Sequence, residues 1–156
     1  MDAHIEKRAC LIYVLATEDD RGPVRQKLEN AGYMVCEVKA EFDEVLAAKE
    51  GEEGLREEIT ACISASELCV FLLPEDDQQD GEIGTAAGYA DNLGKRLIGV
   101  VAGNRISYPE ILEDFAPSMV RVGSDRLGGA IAGEAIWEAA DRTPVADRPI
   151  KHVRCQ

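Results

Sequence analysis

The chain has 156 residues, 46% of them hydrophobic, enough apolar material to build the core of one domain and too much for wholesale disorder. Thirty acidic against 17 basic side chains give a formal net charge of −13, a surface that repels phosphate backbones and anionic bilayers, so neither nucleic acid nor a membrane is an expected partner. No apolar run approaches the ~20 residues of a membrane span, and the opening MDAHIEKRA is too charged and too short for a signal peptide.

Taken in chain order, Ala9–Ala16 (ACLIYVLA) is apolar throughout and predicts a first strand covered on both faces. Thr17–Gly22 (TEDDRG) is a polar turn. Pro23–Ala31 predicts an amphipathic helix, with Pro23 near its first turn, Val24, Leu28 and Ala31 on one face, and Gly32 as its stop. Tyr33–Val38 predicts a second strand. Phe42, Val45 and Leu46 suggest a short helix before the loose segment Lys49–Gly54. Leu55–Ser66 is helical, with Leu55, Ile59, Cys62 and Ile63 on one face.

Leu68–Leu73 is the most apolar strand, and Pro74 ends it. After the acidic run that follows, Asp80 is a good N-cap; Gly81, Glu82 and Ile83 open a helix that ends at Gly94-Lys95. Leu97–Val101 is the fourth strand. Ile111, Leu112 and Phe115 mark a short helix, and Ser118–Val122 a fifth strand. Ser124 or Asp125 caps a last helix expected to reach about Ala140, with Leu127, Ile131, Ile136 and Trp137 turned inward. Residues 1–140 are thus read as a single α/β domain, and 141–156, with two prolines and four basic residues, as a C-terminal tail.

Strands alternating with helices predict a parallel sheet covered on both faces. A flavodoxin-like three-layer sandwich is expected, its five-stranded parallel sheet in the order 2-1-3-4-5. Open sheets of this kind bind ligands beyond the carboxyl ends of their strands, where strand order reverses. That point lies between the first and third strands, so Thr17–Asp20 and Pro74–Glu82 should converge there.

Glu82 is the candidate catalytic residue. At the second position of a helix its carboxylate faces the positive end of the macrodipole, which favours the ionised form. An ionised carboxylate suits a nucleophile, or an anion that steadies an oxocarbenium-like centre, at a glycosidic carbon. The alternative is that Asp80 and Glu82 only cap the helix, worth about 1 kcal/mol. Gly84 and Gly88 lie one turn apart in this helix, and each costs ~1 kcal/mol relative to alanine, so something should approach closely: the sheet, or a nucleotide. The clusters Glu18-Asp19-Asp20 and Glu75-Asp76-Asp77 are read as solvated loop ends, with magnesium binding as the alternative. Five cysteines, an odd number with no two at CxxC spacing, are read as reduced thiols of a cytoplasmic protein. With His4 and His152 near opposite ends of the chain, no metal site is expected.

Two motif sets point further. LIYVLATEDD followed by VRQKLENAGYMVCEV resembles the opening strand, helix and second strand of TIR domains. LREEITACISASELCVFLLPE is similar to the TIR segment in which a helix ends in a serine just before the third strand. IGTAAGYADNLGKRLIGVV resembles instead the nucleoside 2-deoxyribosyltransferases, whose helix commonly reads ExGYAxxxGK. These related families imply cleavage of an N-glycosidic bond, in NAD⁺ for enzymatic TIR domains and in nucleosides or nucleotides for the others. The resemblance, over roughly Cys10 to Glu138, implies Glu82 as catalytic. The families' usual spacing, eight residues before the GK glycine, falls on Ala86 instead. It further implies Thr17 and Asp19 as ribose or phosphate contacts, Phe42 as a wall for the base, and Asp80, Gly81 and Gly84 beside the ligand. The expectation is an enzyme with no permanently bound cofactor, using NAD⁺ or a nucleoside or nucleotide as substrate, self-associating, and by the same resemblance linked to bacterial antiphage defence. The alternatives are a deoxyribosyltransferase or nucleotide N-hydrolase, and a non-catalytic module that binds a nucleotide signal or a partner TIR domain.

Overall fold

A computed structural model describes residues 7–40, 57–76, 83–103 and 108–138. Its sheet is built from β1 (Lys7–Tyr13), β2 (Tyr33–Lys39), β3 (Leu68–Leu73), β4 (Arg96–Val101) and β5 (Ser118–Arg121). All pairings are parallel and the order is β2-β1-β3-β4-β5, as the alternation predicted. Register follows composition: every side chain of β3 is buried, because this central strand is covered on both faces. On edge strand β2, by contrast, only Tyr33 and Val38 are buried.

Helices close both faces. On one lie α2 (Glu57–Ser64), α3 (Ile83–Asn92) and α4 (Glu110–Phe115), which pack Ile59, Cys62, Ile63, Ile83, Ala86, Ala87, Ala90 and Leu112 against Cys10, Ile12, Cys69, Phe71 and Leu73. On the other lie α1 (Arg21–Asn30) and α5 (Leu127–Ala132), whose Val24, Leu28, Leu127, Ala130 and Ile131 meet Leu11, Val70, Leu72, Ile98 and Val100. The strict alternation along each strand between the two clusters is the period-two geometry of a pleated sheet. A flavodoxin-like α/β fold is the result.

Helix ends follow local chemistry. α3 stops in a Schellman turn: Gly94, at φ +77°, donates its N–H to Asp91, and Lys95 donates back to Ala90 at 3.0 Å. At the amino edge of the sheet Arg96 reaches across to α5. Its guanidinium donates to the carbonyls of Ala130 at 3.0 Å and Ile131 at 2.7 Å, and to the Tyr33 hydroxyl at 3.1 Å. It caps the last turn of α5: the Ile131 carbonyl takes Arg96 as its donor, and the Ala130 carbonyl shares Arg96 with the Gly133 N–H. Glu37 on β2 is forked between Arg21 and Arg25 of α1, each at 3.0 Å.

Several expectations need correction. The first strand ends at Tyr13, not Ala16, because Leu15–Asp20 winds into 3-10 turns that lead directly into α1 at Arg21. Ala31 is exposed rather than inward, since α1 ends at Asn30. The last helix does not reach Ala140. It covers Leu127–Ala132, and Gly133 at φ +113° turns the chain out of it. The chain then runs extended alongside β5: Met119 N–H donates to Ile136 O at 2.9 Å, and Glu138 N–H donates to Met119 O at 2.8 Å. Ser118 Oγ pins the return, donating to Glu134 O and accepting from Ile136 N–H. Ile136 and Trp137 are buried as expected, but on opposite faces of the sheet, as neighbours on a strand must be. The helix foreseen around Phe42, and the tail 141–156, lie outside the described residues.

Candidate functional site

The carboxyl ends of β1 and β3 lie side by side, Ile12 opposite Phe71, at the point where strand order reverses. Beyond β1 the 3-10 segment Leu15–Asp20 forms one bank of this edge. Beyond β3, Pro74, Glu75 and Asp76 form the other, and α3 begins at Ile83.

Thr17 sits at the centre of the first bank and is fully buried. Its Oγ1 accepts the Val14 N–H at 3.0 Å and donates to the Val14 carbonyl at 3.1 Å. Thr17 therefore locks the loop, and the hydroxyl proton that a ribose or phosphate would need is already committed. Asp19 is exposed, and Asp20 half-buried. Burial, with repulsion from Asp19 as the smaller cause, raises the Asp20 carboxyl above its usual range. Arg21 closes the segment from outside, donating to the Glu18 carbonyl at 3.1 Å and lying 4.9 Å above the Tyr13 ring.

On the other bank Glu75 folds over the end of β4. A methyl group placed on Gly103 would lie 2.6 Å from Glu75 Cγ, and Gly103 itself has φ +65°, the left-handed backbone that favours glycine. The Arg121 guanidinium donates to the Gly103 carbonyl, which links the ends of β4 and β5. Sequence reasoning passed over Gly103 and Arg121; the Ala-Gly-Asn after the fourth strand was the signal available for the turn.

Gly84, in the first turn of α3, is half-buried, and a methyl added there would meet nothing within 4 Å. Gly88 would meet only Ile111 of α4, at 3.9 Å. Neither glycine is spent on the sheet, contrary to one expectation above. The sheet is met by Ile83, Ala86, Ala87 and Ala90, all fully buried. The close approach is made instead by Gly99 on β4, where the Met119 side chain crosses and a methyl would lie 2.8 Å from its Cε.

Ala86 is thus a core residue, wholly enclosed. A glutamate at that place would be an unpaired carboxylate in an apolar layer, so the spacing usual in the resembled families falls here on a structural position. Glu82, Asp80, Gly81 and Phe42 lie outside the described residues. Among the described residues no group of three or more His, Cys, Asp or Glu converges as a metal site would require, and no helix is long and apolar enough to cross a membrane.

No protein-family model matches the chain, and no curated protein sequence matches it significantly.

Proposed function

We propose that this protein cleaves the N-glycosidic bond of a nucleotide, with NAD⁺ as the first candidate, at the switch point between β1 and β3. The observation that carries this reading is the strand order itself, which sets an acidic loop and a helix start beside each other at the carboxyl edge of the sheet. Gly84 supports it, because the open space at that helix start leaves room for a ligand to approach the backbone. In the proposed mechanism an ionised Glu82 carboxylate steadies the oxocarbenium-like anomeric centre as nicotinamide departs. Water or an intramolecular nitrogen then takes its place, giving ADP-ribose or a cyclic product. Asp19 is the exposed candidate for a ribose contact, whereas Thr17 acts by holding the loop. Self-association is part of the proposal, by resemblance to TIR enzymes that act as assemblies, as is a role in antiphage signalling.

Incubation with NAD⁺ and chromatography for released nicotinamide tests the reading. Turnover that disappears in Glu82→Gln with the fold intact supports it; unchanged NAD⁺ overturns it. Base exchange between a deoxynucleoside and adenine would shift the substrate to the deoxyribosyltransferase alternative. The enclosed Ala86 favours a second reading, a nucleotide-binding module without catalysis. For that module a nucleotide raises the melting temperature while no product forms.

A further inference from the structure

Four of the cysteines gather on one face of the sheet. Cys36 on β2, Cys10 on β1 and Cys69 on β3 stand in register across three adjacent strands. All three share the face covered by α2, and Cys62 of that helix comes down on them: its sulfur lies 3.3 Å from the Cys36 carbonyl, its acceptor in the reduced protein.

The four thiols are not equivalent. Cys69 is fully buried under the sheet's central strand, and desolvation pushes its thiol up to about 12. Cys36 is exposed, yet burial of its sulfur and the neighbouring Glu37 also push it up. Cys10 is fully enclosed and Cys62 nearly so. All four are free thiols, and Cys62 lies over the register pair Cys36–Cys10, in the same buried layer as Cys10. A cavity of about 410 Å³ opens beside β2, and Cys36, Cys62, Arg8, Glu58 and Ser66 are among the residues that line it. Cys62 therefore faces a space that a small oxidant can enter, while Cys10 is fully buried in the layer next to it.

We propose that Cys10 and Cys62 are an oxidisable pair, which a hydroperoxide entering this cavity converts into a disulfide stapling α2 to the centre of the sheet. The Cys62 sulfur attacks the peroxide oxygen, the O–O bond breaks, and the first water leaves with the thiol proton, giving a sulfenic acid. The Cys10 sulfur then displaces the sulfenic hydroxyl, which departs as the second water with the Cys10 proton. Two thiols and one hydrogen peroxide give one disulfide and two waters. The bond would close a long loop of chain that runs through α1 and β2, restricting the unfolded state more than the folded one.

The test uses the full chain, reduced and then treated with hydrogen peroxide, blocked with a maleimide and digested with trypsin and a glutamate-specific protease. Cleavage after Glu67 separates Cys62 from Cys69, so the linked peptides can be assigned without mutation. The expected result is a Cys10–Cys62 link, lost on adding dithiothreitol, with a melting temperature several degrees above that of the reduced protein. Cys36→Ser keeps both the link and the shift, and Cys62→Ser loses both. A link through Cys36 or Cys69, oxidation confined to Cys36 sulfenic or sulfinic acid, or four blocked thiols after treatment overturns the proposal. Because the wild-type map alone decides, failure of Cys62→Ser to fold does not shelter it.

Discussion

The Glu138 carboxylate accepts the backbone N–H of Arg121 at 2.7 Å, standing in for the ladder bond that a further strand would have made. Its other oxygen accepts from Ser124 Oγ at 2.9 Å, and Arg126 lies 3.9 Å away. Two positions earlier on β5, Met119 N–H is met by the Ile136 carbonyl. Backbone and side chain of one short segment thus satisfy successive outward groups of the last strand. Glu138→Ala leaves the Arg121 N–H and the Ser124 hydroxyl without this partner, and a loss of about 2 kcal/mol is expected, half of it recovered in Glu138→Gln. For a chain of this size that is roughly a 4–8 °C fall in melting temperature, read by calorimetry.

Arg96 is expected to matter more than an exposed arginine, because three acceptors converge on it. Arg96→Met should cost about 2 kcal/mol, by leaving the Ile131 carbonyl without this donor and the Ala130 carbonyl with only the Gly133 N–H, while Tyr33→Phe should cost about 1 kcal/mol or less. Arg96→Lys should lie between, since an ammonium on a single stem cannot span the three acceptors as a planar guanidinium does. Urea titration of the three variants orders them; equal midpoints would remove Arg96 from the α5 end.

Gly99 and Met119 are coupled by contact. Gly99→Ala should cost about 1–3 kcal/mol, because the Met119 thioether must leave its rotamer. Met119→Ala should cost about 2–4 kcal/mol for the cavity it opens. The double variant should cost less than the sum by about 1 kcal/mol or more, as the new methyl fills part of that cavity. Additive costs in a double-mutant cycle would deny the contact.

Asp20 carries a pH signature. Burial and Asp19 raise its folded pKa, so its contribution to stability is fully present below the ordinary carboxylate range and is lost as pH rises through the folded pKa. At neutral pH the ionised group opposes folding, and Asp20→Asn should stabilise the protein there. Solvent screening holds the gain below about 1 kcal/mol. The gain should vanish at pH about 3, where both side chains are neutral. Thermal melts across that range test the sign, and a gain that grows toward acid pH would contradict it.

Ala86→Glu separates spacing from structure. Placing the carboxylate where the resembled families have it puts an unpaired charge among Ile83, Ala87 and Ala90, at an expected cost of about 4 kcal/mol or more. The variant should melt far lower and gain no NAD⁺ turnover. A stable, active Ala86→Glu would show instead that the helix can turn this position toward the ligand.

The sheet was legible because its signals are redundant. Six consecutive apolar residues from Leu68 to Leu73 have no other comfortable place than a central parallel strand, and the observed bounds coincide with the expected ones. The end of α3 was legible for a similar reason, since Gly94 can take φ +77° where other residues strain. The end of the chain was not. Leu127, Ile131 and Ile136 fit a helical face, but Gly128, Gly129 and Gly133 weaken that helix, and Ser118 competes for the backbone beyond it. A short extended piece of three residues has too little period to declare itself. At the proposed site, the resemblance implied Thr17 as a ribose or phosphate contact. Only coordinates reveal that its hydroxyl is turned back on Val14.

The return of residues 136–138 along β5 has a practical corollary for anyone shortening the protein. A version stopped at Gly133 would retain all five described strands and every described helix, yet would lay bare hydrogen-bonding groups on its last strand together with the apolar wall that Trp137 covers. Such a naked border invites pairing between copies, so the truncated chain should precipitate on heating even where its secondary structure, seen by circular dichroism, looks whole.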